Sequence, residues 1–372
     1  SVQGNEPRVV AITPQMLAFI DLDAQIRRTV KLSVVGGNLS GDLFGLASPF
    51  SDSKIAFSAG VERRVLSAQS MPDNPSQIQG EVLGTGARTP PDRGRIETKE
   101  VFGELIVPLV TDKPFFHNLT IEGGIRYSDY KNEGGSPTPV KTQYDALTWK
   151  AGATWEMVEG FKLRGMYQVA VRSPNIQELF QAPVVALNNL NPDPCQGALP
   201  VGNANLTALC ILTGAPAGTI GSIPTPTSGQ INVTTSGNPN LNVEKAHTYT
   251  LGAVFQPRFI PGLALTVDYF NIVIKDAISN ATVQDVLTGC YSSTAASPSP
   301  LCNLIRRSPN NGSLNGAGET PGVILAGSNL GKIETAGIDL GLTYRLDLDR
   351  VGLGDAGSLR FTFNGTWLDY YH

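Results

Sequence analysis

The stretch FKLRGMYQVAVR (161–172) decides the fold, because it alternates without a break. Its odd positions are Phe161, Leu163, Gly165, Tyr167, Val169 and Val171, and its even positions are Lys162, Arg164, Met166, Gln168, Ala170 and Arg172. A strand points successive side chains to opposite faces, so this segment has one apolar face and one charged face. The same pattern recurs along the chain. At 119–129, Leu119, Ile121, Ile125 and Tyr127 alternate with Thr120, Glu122, Arg126 and Ser128. At 336–347, Ile338, Leu340, Leu342, Tyr344 and Leu346 alternate with Asp339, Gly341, Thr343 and Arg345. Near the end, Leu359, Phe361, Phe363 and Trp367 alternate with Arg360, Thr362, Asn364 and Thr366.

This test predicts ten strands, at 27–39, 53–68, 95–108, 118–131, 142–157, 161–172, 243–257, 262–277, 329–348 and 358–371. The third is the least regular, since Phe102 and Ile106 share a face with Glu100 and Glu104. Most run to ten residues or more, whereas strands of soluble domains centre on about five or six. A tilted strand needs about 9–11 residues to cross a bilayer core. The connections alternate in length along the whole chain. After a medium first connection at 40–52, those at 69–94, 132–141, 173–242 and 278–328 are the longer, and those at 109–117, 158–160, 258–261 and 349–357 the shorter. Tight turns at one end and long loops at the other characterise an up-and-down membrane barrel. The expected fold is therefore all-β: an antiparallel up-and-down transmembrane β-barrel, here a partial barrel of about ten strands. The residues expected outside the cell are 1–26 and the four longer connections. Aromatic side chains agree. Phe115, Phe116, Trp155, Phe161, Phe255 and Phe259 lie beside short turns, while Tyr127, Tyr130, Tyr167, Tyr269 and Tyr370 lie toward the long loops. Two such girdles are expected at bilayer interfaces.

Bulk composition narrows the classes. The 372 residues carry a net charge of −4, which does not advertise nucleic acid as a partner. No apolar run approaches the roughly 18–20 residues of a spanning helix. Glycine (40) and proline (26) are abundant and only 16% of residues are charged, which suits strands and loops better than a helical bundle. The four cysteines form two local pairs, Cys195 with Cys210 and Cys290 with Cys302, in loop-like segments. Disulfides, which imply an oxidising compartment, rank above the rival reading of a zinc site. The chain has no CxxC and only three histidines, His117, His247 and His372. Nothing in the sequence calls for a cofactor.

Several motifs together resemble the TonB-dependent outer-membrane receptors. RSPNIQELF (172–180) is similar to that family's Arg-x-Pro-x-x-x-Glu-Leu-Phe signature, with Arg172, Pro174 and Glu178 in the matching places. GNPNLNVEKAHTYTLG (237–252) is similar to its Gly-Asn-Pro-x-Leu-x-Pro-Glu motif, with Val243 where proline is usual. IPGLALTVDYFNIVIKDAI (260–278) looks like the family's hairpin, and paired loop cysteines match a common subgroup. The resemblance spans about 24–371. It implies a 22-strand barrel with an N-terminal plug, of which residues 1–372 are one piece lacking plug, TonB box and closing strands. It also implies import of a scarce nutrient, such as a siderophore-iron complex or an oligosaccharide. The implied partners are outer-membrane lipid, the plug domain of the parent chain, the TonB complex reached through that plug, and the extracellular ligand, with no nucleic acid. The implied site is the bacterial outer membrane, and no enzyme activity is expected.

Candidate site residues follow from the alternation. If the apolar faces meet lipid, Glu104, Glu122, Arg126, Lys162, Arg164, Arg172, Arg345 and Arg360 face the lumen or plug, as do Glu100, Lys150, Asp268 and Asp339. On the lipid side a charge costs roughly 2–4 kcal/mol at midplane. Arg172 and Glu178 either anchor a loop or contact plug or substrate at the barrel mouth. Ser173-Pro174 reads as a helix start leading through Phe180, and a second short helix is expected at 282–288, ending at Gly289. Asp193 is the only acid at 188–210, too few for a calcium cage. His247 reads as structural. GAGETPG (316–322) and GLGDAG (352–357) are poor phosphate cradles, since neither leads from a buried strand into a helix. No nucleophile elbow or paired-carboxylate arrangement stands out. Two rivals stay open: a passive outer-membrane porin, and a soluble secreted all-β binding protein that buries its apolar faces in a core.

Overall fold

The computed structural model describes residues 12–82, 88–135, 138–190, 192–315, 320–352, 354 and 356–372. Residues 316–319, 353 and 355 of the two glycine-rich stretches, Asn191 of the 188–210 loop and residues 1–11 fall outside these residues. The strands, in chain order, are β1 (Ile26–Ala47), β2 (Lys54–Pro72), β3 (Asp92–Lys113), β4 (Phe116–Gly134), β5 (Val140–Val158), β6 (Phe161–Arg172), β7 (Val184–Asn189), β8 (Gln230–Ser236), β9 (Glu244–Phe255), β10 (Leu263–Ser279), β11 (Ile305–Arg306), β12 (Gly322–Ala326), β13 (Ser328–Asp347) and β14 (Ser358–Tyr371). The helices are α1 (Pro14–Ile20), α2 (Ile176–Phe180), α3 (Ala204–Leu212) and α4 (Val283–Tyr291).

Ten strands form one sheet in the order β1-β2-β3-β4-β5-β6-β9-β10-β13-β14, each antiparallel to its neighbours. These are the ten that alternation predicts, and they build a partial barrel wall. Several run further than the alternation indicates: β1 reaches Ala47 and β3 spans Asp92–Lys113. The backbone ladder continues there because pairing depends on main-chain groups, whereas alternation registers only where one face is apolar.

Register fixes the faces, since directly paired residues share one. One face carries the rows Gly60–Phe102–Arg126–Thr148 and Thr154–Arg164–Gly252–Asp268–Asp339–Thr366. The other carries Val61–Val101–Tyr127–Leu147 and Gly165–Leu251–Tyr269–Ile338–Trp367. The irregularity of β3 now has a cause. Phe102 lies on the charged face beneath the Arg126 guanidinium, 4.7 Å from its ring centroid, a cation–π contact that gives an aromatic on that face a polar partner.

Burial is inverted relative to a water-soluble β protein. Large apolar side chains of the sheet are exposed, among them Ile125 (55%), Leu251 (64%) and Phe363 (59%). The fully buried apolar residues instead collect in the long loops. Leu209, Ile231, Val286, Ile305, Leu314 and Val323 belong to one core drawn from 173–243 and 280–327. Around this core stands a second sheet, β11-β12-β8-β7, in which β12 and β8 run parallel. This loop subdomain is absent from the alternation reading, because its strands run to seven residues or fewer and show no sustained alternation.

Three sequence expectations need correction. Tyr130 is not a girdle residue. It pairs with Thr98 and Tyr144 on the charged face and is buried with Leu179 and Phe180. Helix α2 is capped by Asn175 rather than Ser173. The Asn175 side chain accepts from the Glu178 backbone N–H at 2.8 Å, and the Glu178 carboxylate accepts from the Asn175 N–H at 2.7 Å. This reciprocal box satisfies two orphan donors, which one serine hydroxyl does not match, and Ser173 Oγ bonds Tyr144 instead. Helix α4 passes through Gly289 to Tyr291 because packing of Cys290 and Leu287 outweighs the weak propensity of one glycine.

Candidate functional site

The end of the sheet carrying the long loops is organised around Arg172, the last residue of β6. Its guanidinium lies between two carboxylates. It donates to Glu178 Oε1 and Oε2 at 3.1 Å each, and to both oxygens of Glu244, one of them at 2.8 Å. Glu244 opens β9 and also accepts from the Ile278 N–H at 2.7 Å, which ties in the end of β10. Forked guanidinium–carboxylate pairs are among the stronger polar contacts. Arg172 and Glu178 thus meet through α2, and the residue that sequence reasoning did not single out is Glu244. Its signal was present, as the glutamate of the 237–252 motif.

The small residues of the same motifs seat α2. Gly237 donates to Gln181 O and Asn238 donates to Glu178 O. A β-carbon on Gly237 would lie 2.6 Å from both Phe180 N and Gln181 N. Gly94 and Gly134 make room for Ile176 and Phe180 in the same way, which places α2 over the charged face. Leu241, Val243 and Phe180 complete a buried cluster with Ile96 and Ala146. Gly237→Ala is expected to lower stability by about 1–3 kcal/mol, since backbone cannot rotate aside as a side chain does. Denaturant unfolding in lipid checks it, and an unchanged midpoint contradicts the packing described.

Above α2 sits the loop subdomain. Cys195–Cys210 and Cys290–Cys302 are disulfides, with sequence separations of 15 and 12. In the chain-entropy account each closure is worth about 3 kcal/mol. Serine replacement of both pairs is therefore expected to speed amide exchange in α3 and α4 while leaving β4 and β5 as protected as before. Equal loosening of both regions would contradict it. Thr282 caps α4 in a second reciprocal box, and hydrogen bonds from its side chain and backbone hold the Asp285 carboxyl below its ordinary pKa.

Buried at the centre of the subdomain is Arg307, paired with Asp193, both side chains fully shielded from solvent. All five guanidinium N–H groups are used. Two go to the Asp193 oxygens at 2.7 and 2.8 Å, and the rest to Tyr291 Oη, Thr213 Oγ1 and the Gly312 carbonyl. Burial alone would lower the Arg307 pKa. The Asp193 carboxylate and the Tyr291 hydroxyl outweigh it and hold the group above its ordinary value. The lone acid of the 188–210 loop is thus half of a buried ion pair. No linear pattern reveals it, because 114 residues separate the partners.

The structure places all eight predicted inward residues on the charged face: Glu104, Glu122, Arg126, Lys162, Arg164, Arg172, Arg345 and Arg360. It brings several together with carboxylates of that face. Arg164 forks onto Asp268 at 2.7 and 2.8 Å, and Arg126 reaches Glu100 at 3.0 Å. Lys150 meets Glu104 at 3.4 Å and Lys162 meets Glu156 at 3.7 Å. Arg345 and Arg360 stand directly opposite each other, and Arg345 turns to Asp347. Glu122 and Arg360 make no ion pair among the described residues. A hollow of about 400 Å³ opens on this face beside Arg64, Glu100, Phe102, Lys150 and Gln168. His247 lies on the opposite face, its Nδ1 2.9 Å from Tyr167 Oη. Among the described residues no group of three or more His, Cys, Asp or Glu side chains is placed to hold a metal ion.

Comparison with known proteins accords with this geometry. A family model described as "TonB dependent receptor-like, beta-barrel" matches residues 21–371. Among solved structures, a mutant ferric enterobactin receptor from Pseudomonas aeruginosa, in complex with enterobactin, is similar at 15% identity with a TM-score of 0.51. That match covers 92% of this chain and 36% of that one. A double mutant of the Serratia marcescens hemophore receptor HasR, with its hemophore HasA and heme, is similar at 14% identity and a TM-score of 0.45, covering 92% of this chain and 42% of that one. The FrpB iron transporter of Neisseria meningitidis is similar at 14% identity and a TM-score of 0.43, with 91% and 36% covered. The chain spans between 36% and 42% of the length of these proteins.

Proposed function

The chain belongs to the TonB-dependent receptor β-barrel family, and from that premise we propose that it forms part of the wall and the ligand-capturing loops of an outer-membrane receptor that imports a scarce nutrient. The observation that carries the reading is the inverted burial: apolar side chains exposed across one face of the ten-stranded sheet, with the dry cores formed within the long loops and where they meet the opposite, charged face. In water such a face is a large aggregation-prone patch. Against hydrocarbon it is the stable arrangement.

On this reading the loops built from 173–243 and 280–327 capture the ligand outside the cell. The charged face, with Arg126, Lys162, Arg164 and their carboxylates, contacts the plug of the whole receptor. Energy for import reaches that plug from the TonB complex. The cargo is a bulky metabolite such as an iron–siderophore complex or an oligosaccharide, and the protein assists its passage without catalysing a reaction. The rigid, disulfide-closed loop subdomain supports capture, because a preorganised binding surface loses less conformational entropy on binding.

Two measurements test the proposal. Purified protein is expected to need detergent and to migrate differently on a gel before and after heating; a monodisperse species in plain buffer would sink the membrane placement. Titration of the full-length receptor with ferric siderophores and oligosaccharides is expected to find one tight ligand, lost when 192–242 is deleted. Binding that survives the deletion removes the loops from the capture step.

A further inference from the structure

We propose that the loop subdomain takes an uncharged cargo, a molecule that offers hydroxyl or carbonyl groups together with aliphatic surface and carries no ionised group. The inference rests on the loop capture proposed above and names the chemistry of the ligand captured.

Charge stops where the barrel strands stop. Arg172 and Glu178 precede the first long loop, and Glu244 and Lys245 follow it. Asp276 precedes the second, and Lys332 and Glu334 follow it. Of the chain's 28 Lys and Arg and 32 Asp and Glu, residues 179–243 and 277–331 together hold five: Asp193, Asp285, Arg306, Arg307 and Glu319. An ordinary soluble surface is about 25–35% charged. The fold then withdraws most of the five. Asp193 and Arg307 neutralise each other, fully shielded from solvent. The Asp285 carboxylate accepts from the Thr282 backbone N–H at 2.9 Å and from its hydroxyl at 2.7 Å. Glu319 lies outside the described residues. Arg306 is the one exposed cation among the described residues of the two segments, and it donates to the Ile305 carbonyl at 3.0 Å.

Aromatic faces are scarce in the same segments, which contain Phe180 and Tyr291 and no histidine or tryptophan. Phe180 is buried with Leu179 and Tyr130, and the Tyr291 hydroxyl is engaged by Arg307 and Thr213. What faces out is aliphatic or neutral polar. On the lobe closed by Cys195–Cys210, Leu199, Val201 (61%), Ile211 and Leu212 (54%) are exposed. Helix α3 accounts for the last two: Leu209 and Cys210 turn into the core, so the residues that follow them turn out. Asn203 and Ser222 are exposed on the same lobe and supply neutral hydrogen-bonding groups.

Such a surface discriminates by charge. An anion moved from water onto it loses hydration and meets a single arginine, without the several charge-assisted hydrogen bonds that would replace the water. An uncharged molecule gives up far less hydration, and its apolar parts gain by covering the aliphatic side chains.

The test uses the full-length receptor in detergent micelles and two pairs of probes that differ in charge. One pair is a neutral gluco-oligosaccharide and the same chain oxidised to its uronate. The other is an uncharged ferric trihydroxamate and an anionic ferric tris-catecholate. Calorimetric titration is expected to find an uncharged probe bound at least about tenfold more tightly than its anionic counterpart. Its affinity is expected to change by less than about twofold between low and high salt. Leu199→Lys combined with Ile211→Lys, both at exposed positions, is expected to weaken the uncharged probe about tenfold and to tighten its anionic counterpart. The proposal is overturned if an anionic probe binds more tightly than its neutral counterpart, or if neither uncharged probe binds. It is also overturned if salt weakens binding about tenfold, or if the double lysine variant binds both members as wild type does. A preference for the anion that disappears when 192–242 is deleted sinks the charge assignment and leaves loop capture standing. Binding that survives the deletion removes loop capture, and this inference with it.

Discussion

Replacing Arg307 by methionine is expected to destabilise the loop subdomain by about 3–5 kcal/mol, the usual consequence of removing one partner from a buried ion pair. The Asp193 carboxylate is fully enclosed and receives two N–H groups from Arg307, so the variant leaves a charge with no solvent and little to neutralise it. Tyr291, Thr213 and the Gly312 carbonyl lose a donor at the same time. Their hydrogen bonds join segments supplied by both long loops, so the damage is expected throughout the subdomain. Amide exchange is the direct measurement: β8 and α3 should exchange more than a hundredfold faster, while β4 and β5 keep their protection. Asp193→Asn combined with Arg307→Met is expected to recover part of the loss, because the uncompensated charge is gone. Exchange in β8 within twofold of wild type would mean that the pair does not hold the loops together.

A charge on the apolar face gives the second large effect. Leu340 lies near the middle of β13, 40% exposed, and pairs with Val267 and Gly365. Leu340→Arg is expected to lower stability in lipid by about 2–4 kcal/mol. Asn364→Arg, on the neighbouring strand but on the charged face, is expected to change it by less than about 1 kcal/mol, since water or polar protein solvates that side. Denaturant unfolding of lipid-reconstituted protein measures both. Equal effects for the two variants would remove the asymmetry on which the membrane placement depends.

The charged face also shows where inference from alternation is strong. Register placed Glu104, Arg126, Arg164 and Arg360 on one side because strand geometry leaves no intermediate choice: an error of one residue would reverse every side chain. The girdle placement of Tyr130 went against that rule. Its position in the strand suits an interfacial ring, and parity alone turns it inward, where Phe180 and Leu179 cover it. The cap of α2 failed for a different reason. Ser173 and Asn175 are both competent caps, and the choice lies in the Glu178 side chain, which Arg172 holds in place.

By itself the sequence determined the ten-stranded sheet, its faces, its long-loop end and the two cysteine pairs, since each is written in neighbours two residues apart or in a local spacing. Tertiary structure alone decided that both long loops fold into one subdomain, that Arg307 meets Asp193 within it, and that Glu244 joins Glu178 on Arg172. Those partners come from separate loops and strands. Their meeting is selected by packing and by the cost of leaving a buried charge alone, forces that act between surfaces and leave no periodic trace along the chain.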